Sequence, residues 1–199
     1  MISLGTYLSQ KYTNKKIISE SDTEIYAFLF DYIFGSVFYD LSLILIGAIA
    51  KQLIITLIFI LITAPIRTFS GGYHAKTRLG CPGLTTTMCL LIICITAHIW
   101  SRIPIWGVCI SWLFYMFLIW KSAPVEHPHK KLDELTMKAN RKKSFVYTLT
   151  MFVVLMIFWN IDRRVACVVW LNITEIIILM LVGKEVYRHD ERKGFKVID

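Results

Sequence analysis

Residues 53–100 read LIITLIFILITAPIRTFSGGYHAKTRLGCPGLTTTMCLLIICITAHIW. Two apolar runs long enough to span or enter a bilayer flank a polar, glycine-rich centre at residues 67–83. Apolar runs of this kind predict membrane helices rather than strands of a water-soluble domain. The pattern continues on both sides. Residues 25–66 are too long for one helix and break naturally at Lys51 and Gln52, which predicts helices near 25–50 and 53–66. Further helices are expected at 84–100, 105–120, 144–160 and 165–183, with breaks at 101–104 and 162–164. Residues 1–21 are polar, contain Lys11, Lys15 and Lys16, and read as an interfacial segment rather than a cleavable signal. The expectation is an all-α integral membrane protein, a polytopic bundle of about six segments over residues 1–199 as a single domain. A four-span version with re-entrant segments fits the same runs.

Composition agrees. The chain is 56% hydrophobic and 18% charged, with net charge +8 and mean hydropathy +0.58. In a membrane protein such a basic excess marks cytoplasmic loops, so it does not point to nucleic acid. The 67–83 loop holds Arg67, Lys76 and Arg78 and no acid. The 121–143 loop holds seven basic residues against three acidic ones, and the tail adds Lys184, Arg188, Arg192, Lys193 and Lys196. Six spans put both termini and both basic loops on one side, which the positive-inside rule makes cytoplasmic. Arg163 and Arg164, on the other side, violate that rule mildly.

The 67–83 centre carries the chemistry. His74 and Cys81 are an imidazole and a thiol, the minimum parts of a cysteine nucleophile and its base. On a straight helix they would lie about 10 Å apart, too far for proton transfer, so a working pair needs a folded loop. Gly71, Gly72, Gly80 and Gly83 make such folding available. Pro82, read as the first residue of the next helix, would place Cys81 at the N-cap, where unpaired N–H groups and the helix dipole favour a thiolate. The same N–H groups, near Pro82 and Gly83, would hold an oxyanion. Cys89, Cys94, Cys109 and Cys167 lie inside apolar runs and read as small buried hydrophobes; His98 reads as an interfacial histidine. Asp31, Asp40, Glu126 and Glu175 are the carboxylates available to orient His74, each equally able to serve as an ion-pair partner. A zinc site from His74, Cys81, His127 and His129 lacks a paired ligand motif, and no metal or cofactor is expected.

Arg67, Gly72, His74 and Cys81, in this order and spacing, resemble the AgrB family, and 70–75 (S-G-G-Y-H-A) resembles its core motif. Residues 123–128 (A-P-V-E-H-P), followed by lysines, resemble its A-P-V-E-x-P signature; His127-Pro128-His129 departs from the asparagine common there. The resemblance covers nearly the whole chain. It implies a multi-pass cysteine endopeptidase in the cell membrane of a Gram-positive bacterium, active at the cytoplasmic face. Its substrate would be an AgrD-like quorum-sensing precursor peptide, whose acidic tail it removes while supporting closure of a thiolactone or lactone ring. It implies Cys81 as nucleophile and His74 as base, with Arg67, Gly72 and Ser70 in support. Lys130, Lys131 and Glu126 would bind substrate, and the family admits a homodimer. The competing class is a transporter or exporter of a peptide or ion, against which no paired broken-helix pattern is visible.

Overall fold

A computed structural model describes residues 3–73, 80–126 and 132–192. Among them are seven α-helices and no strand: α1 (Leu4–Asn14), α2 (Thr23–Ile49), α3 (Leu53–Ser70), α4 (Gly80–Ile99), α5 (Ile105–Ser122), α6 (Glu134–Ile161) and α7 (Arg163–Arg192). Six are long and apolar enough to cross a membrane. Large apolar side chains such as Phe38, Leu61 and Leu113 are more than 70% exposed. In water such surfaces would drive aggregation; against lipid tails they need no cover.

The chain forms two compact units, Met1–Lys51 and Gln52–Asp199. In the first, α1 packs on α2. Ser3 caps α1 by accepting the Thr6 N–H, and the Asp31 carboxylate accepts the Gly5 N–H at 2.8 Å. Asp31 thus satisfies an amide that the first turn of α1 leaves without a helical acceptor.

In the second unit α7 is the central helix. Of its apolar window 61% is buried, against 11–33% for the other five spans, and it packs on α3, α4, α5 and α6. Without a hydrophobic drive between helices in lipid, polar contacts and close packing hold such a bundle. The Thr63 hydroxyl of α3 donates to Asn172 Oδ1 at 2.8 Å. Trp170 Nε1 donates to the Ser111 hydroxyl of α5 at 2.8 Å, and the Tyr115 and Thr174 hydroxyls pair at 2.8 Å. Arg163 and Arg164 stack on Trp159 and Trp100, at 5.2 and 5.3 Å from the ring centroids. That interfacial pairing accommodates the two arginines that run against the charge rule.

Three boundaries differ from the sequence reading. α3 runs to Ser70, past Pro65, so Arg67 is helical rather than in a loop. Proline removes the N–H that would bond the carbonyl four residues earlier, here that of Leu61. The Tyr147 hydroxyl of α6 donates to that carbonyl at 3.2 Å, and the helix continues at 18 residues. α4 includes Gly80 and Cys81, so Cys81 lies in a helical turn and not at an N-cap before Pro82. The 121–143 loop is shorter than expected, because α5 reaches Ser122 and α6 starts at Glu134 behind the Asp133 cap. Cys89 and Cys167 are buried as expected, whereas Cys94 is exposed on the outer surface of α4.

Tyr147→Phe removes the hydroxyl bound to the Leu61 carbonyl. It should lower stability by about 1 kcal/mol, read as an earlier midpoint in SDS unfolding from bicelles; an unchanged midpoint would show that the carbonyl finds another donor.

Candidate functional site

The candidate site forms where α3 ends, α4 begins and the C-terminal half of α7 packs against residues 72–73. Ser70, the last residue of α3, is fully buried. Its carbonyl accepts the Val125 N–H at 2.9 Å, and its hydroxyl donates to the Gly71 carbonyl at 3.1 Å. Gly71 and Val125 form an isolated parallel bridge. The A-P-V-E segment is therefore laid beside the S-G-G-Y segment, and the Ala123–Pro124 peptide between helix and bridge is cis. Arg141 Nε of α6 donates to the Ala123 carbonyl at 2.9 Å.

The two glycines are required by geometry. Gly71 has φ 66° and Gly72 φ 142°, a region that residues with a Cβ resist. A Cβ on Gly71 would also collide with the Val125 carbonyl oxygen. The chain then runs against α7. Tyr73 N–H donates to the Leu179 carbonyl at 2.9 Å, and the Tyr187 hydroxyl donates to the Gly72 carbonyl at 3.2 Å. Gly183 permits this approach: a Cβ there would sit 2.6 Å from Tyr73 N and 2.8 Å from Gly72 C.

Arg67 joins the two sides. Its Nη2 donates to the Tyr73 carbonyl at 2.8 Å, and its Nη1 to the Thr85 hydroxyl at 3.5 Å. Thr85 in turn donates to the Cys81 carbonyl at 3.1 Å. One guanidinium thus reaches the residue before His74 and the helical turn that carries Cys81. Cys81, Thr85 and Cys89 recur every four residues along one face of α4. Cys81 is half-buried and none of the five cysteines is in a disulfide.

A family model for accessory gene regulator B matches residues 4–183. The chain belongs to the AgrB family. An AgrB-like protein of Clostridium perfringens (strain 13 / Type A) is 28% identical over 140 residues, 70% of this chain and 74% of that one. No solved structure matches. Family membership and six apolar helices make this a multi-pass membrane protein.

Of the residues that the sequence singled out in this AgrB chain, Arg67, Ser70, Gly72 and Cys81 come together around residues 70–73 and 81–85. His74, Lys130 and Lys131 lie outside the described residues, as do His127 and His129. The Glu126 carboxylate accepts the Leu132 N–H at 3.0 Å and so joins the two flanks of 127–131. Glu175 is buried in α7. Beside Phe69, α6 presents Lys142 and Lys143 over a shallow groove of about 430 Å3, with Lys143 Nζ 5.3 Å from the Phe69 ring centroid. Thr85, Gly183, Leu179 and Tyr187 were not anticipated. The signal for Thr85 was its spacing of four from Cys81 on a helix, and for Gly183 an isolated glycine in a long apolar helix.

Gly183→Ala should push residues 72–73 off α7, costing about 1–3 kcal/mol by overpacking and lowering the thermal midpoint in detergent. Gly35→Ala, where nothing lies within 4 Å of the added methyl, should leave that midpoint unchanged or raise it. Equal behaviour of the two variants would rule out the close approach at Gly183.

Proposed function

We propose that this AgrB-family chain is a membrane cysteine endopeptidase that removes the acidic C-terminal tail of an AgrD-like precursor and supports its cyclisation. The observation that carries the reading is the Arg67 bridge. Two segments separated by residues 74–79 are tied to one guanidinium, which favours the folded loop that a Cys81–His74 pair requires. The excess of lysine and arginine supports a cytoplasmic position for both termini and the basic segments.

His74 takes the proton of the Cys81 thiol, and the thiolate attacks the peptide carbonyl at the end of the signal core. N–H groups in the first turn of α4 hold the oxyanion. Collapse breaks the C–N bond, and His74 returns its proton to the departing amine of the tail. The signal core is left as a thioester on Cys81. A thiol or hydroxyl within the core attacks that thioester, its proton passes through His74 to the Cys81 sulfur, and the ring leaves as a thiolactone or lactone. Water must be excluded while the thioester persists, since hydrolysis would give a linear acid; a site walled by α3, α4 and α7 suits that need. Lys130 and Lys131, with Lys142 and Lys143 on α6, offer positive charge to the acidic tail.

Purified full-length protein in nanodiscs, given a synthetic AgrD-like precursor, tests this by mass spectrometry. Cys81→Ala should abolish tail release and the acyl adduct on Cys81, and His74→Ala should slow release by about 10²–10⁴-fold. Cys81→Ser should be severely impaired, because imidazole hardly ionises an alcohol. Replacement of Cys89, Cys94, Cys109 and Cys167 together should spare cleavage. Normal processing by Cys81→Ala would end the proposal, and an uncut precursor with wild-type protein would favour a transporter.

A further inference from the structure

Glu175 is 5% exposed in the apolar stretch of α7, and among the described residues neither of its carboxylate oxygens has a hydrogen-bond partner. It lies four residues, about 6 Å along the axis, from Leu179, whose carbonyl anchors Tyr73. A buried ionisable group in a membrane bundle is costly unless its charge is answered. The Thr63–Asn172 bond pairs α3 with α7; one turn further on, Arg67 lies four residues from Thr63 and Glu175 three from Asn172, so both stand on the same helix–helix seam, and Arg67 is the charge that reaches the carboxylate. From α4 the Cys89 thiol lies within its field, and from α5 the Tyr115 hydroxyl is bonded to the adjacent Thr174. Arg67 therefore meets Glu175 through space, while its N–H groups go to Tyr73 and Thr85.

We propose that Glu175 is a positioning residue: its buried carboxylate is the counter-charge that keeps the Arg67 guanidinium inside the bundle, where it ties the two ends of the segment bearing His74 to the start of α4. The division of labour follows from chemistry. A bidentate carboxylate–guanidinium pair would consume the donors that the loop needs. A carboxylate that offers charge without taking the hydrogen bonds leaves them free for the Tyr73 carbonyl and the Thr85 hydroxyl. Without that charge, an arginine near a helix end relaxes toward the polar interface, as long cationic side chains do, and withdraws from both. Glu175 then acts on the thiol–imidazole pair only through Arg67. The inference rests on the Cys81–His74 reading.

The test uses full-length protein in nanodiscs and iodoacetamide as probe. The rate of Cys81 alkylation is followed against pH by peptide mass spectrometry. His74→Ala, which removes the imidazole paired with the thiol, should raise the midpoint of that profile above the wild type's. Glu175→Gln should raise it to within about 0.3 unit of His74→Ala, whereas Glu175→Asp, which keeps the charge, should stay within about 0.5 unit of the wild type. Where gel filtration shows Glu175→Gln misfolded, the neutral double variant Arg67→Met with Glu175→Met takes its place, since removal of both buried charges is well tolerated; it should match His74→Ala. Superposition of Glu175→Gln or of the double variant on the wild type overturns the inference, and so does Glu175→Asp behaving like Glu175→Gln. A His74→Ala profile identical to wild type overturns the Cys81–His74 reading and this inference with it; a shift in His74→Ala without one in Glu175→Gln overturns this inference alone.

Discussion

The Arg67 guanidinium is the interaction on which the site depends. It is a permanent cation on a helix whose other side chains are almost all apolar. Its planar fork lets one side chain bond to two chain segments at once, the Tyr73 carbonyl and the Thr85 hydroxyl. A lysine, with one compact ammonium on a flexible stem, holds such a pair less rigidly. The surrounding features serve the same junction. The positive φ angles of Gly71 and Gly72 turn the chain off α3, Val125 supports it from one side, and Leu179, Gly183 and Tyr187 receive it on the other.

α7 is both the structural centre of the second unit and one wall of the site. Its N-terminal half is fixed by Asn172, Trp170 and Thr174 through hydrogen bonds to α3 and α5. These bonds lie within a helix whose buried face is, Glu175 aside, mainly apolar. Because lipid offers no competing partners for polar groups, a few such bonds select one packing over its neighbours more effectively than apolar contacts alone. The C-terminal half can then present backbone to residues 72–73 without shifting.

Much of the fold was legible in the sequence because bilayer thickness imposes a length on each apolar run. All six long helices appear where hydropathy put them, and Lys51 and Gln52 do mark the break between α2 and α3. The ends were less legible. α3 continues through Pro65 to Ser70, and the donor that takes the bared Leu61 carbonyl is Tyr147, 82 residues after the proline. The site was legible in its residue types: arginine, paired glycines and a cysteine between two spans. Its wiring was not, since neither the Val125 bridge nor the Leu179 carbonyl carries a side-chain signature. Thr85 looked like one of three threonines in an apolar run, and only its placement opposite Arg67 sets it apart.

The carbonyl of Leu61 gives the proline in α3 a wider meaning. Where the proline leaves that oxygen bare, a phenol from α6 is bonded to it, which indexes the azimuth of α3 relative to α6 at a single point. Arg67 follows Pro65 by two residues, so the compass bearing of its side chain is inherited from that docking. A tyrosine outside the candidate site thereby calibrates the direction in which the end of α3 aims its charge.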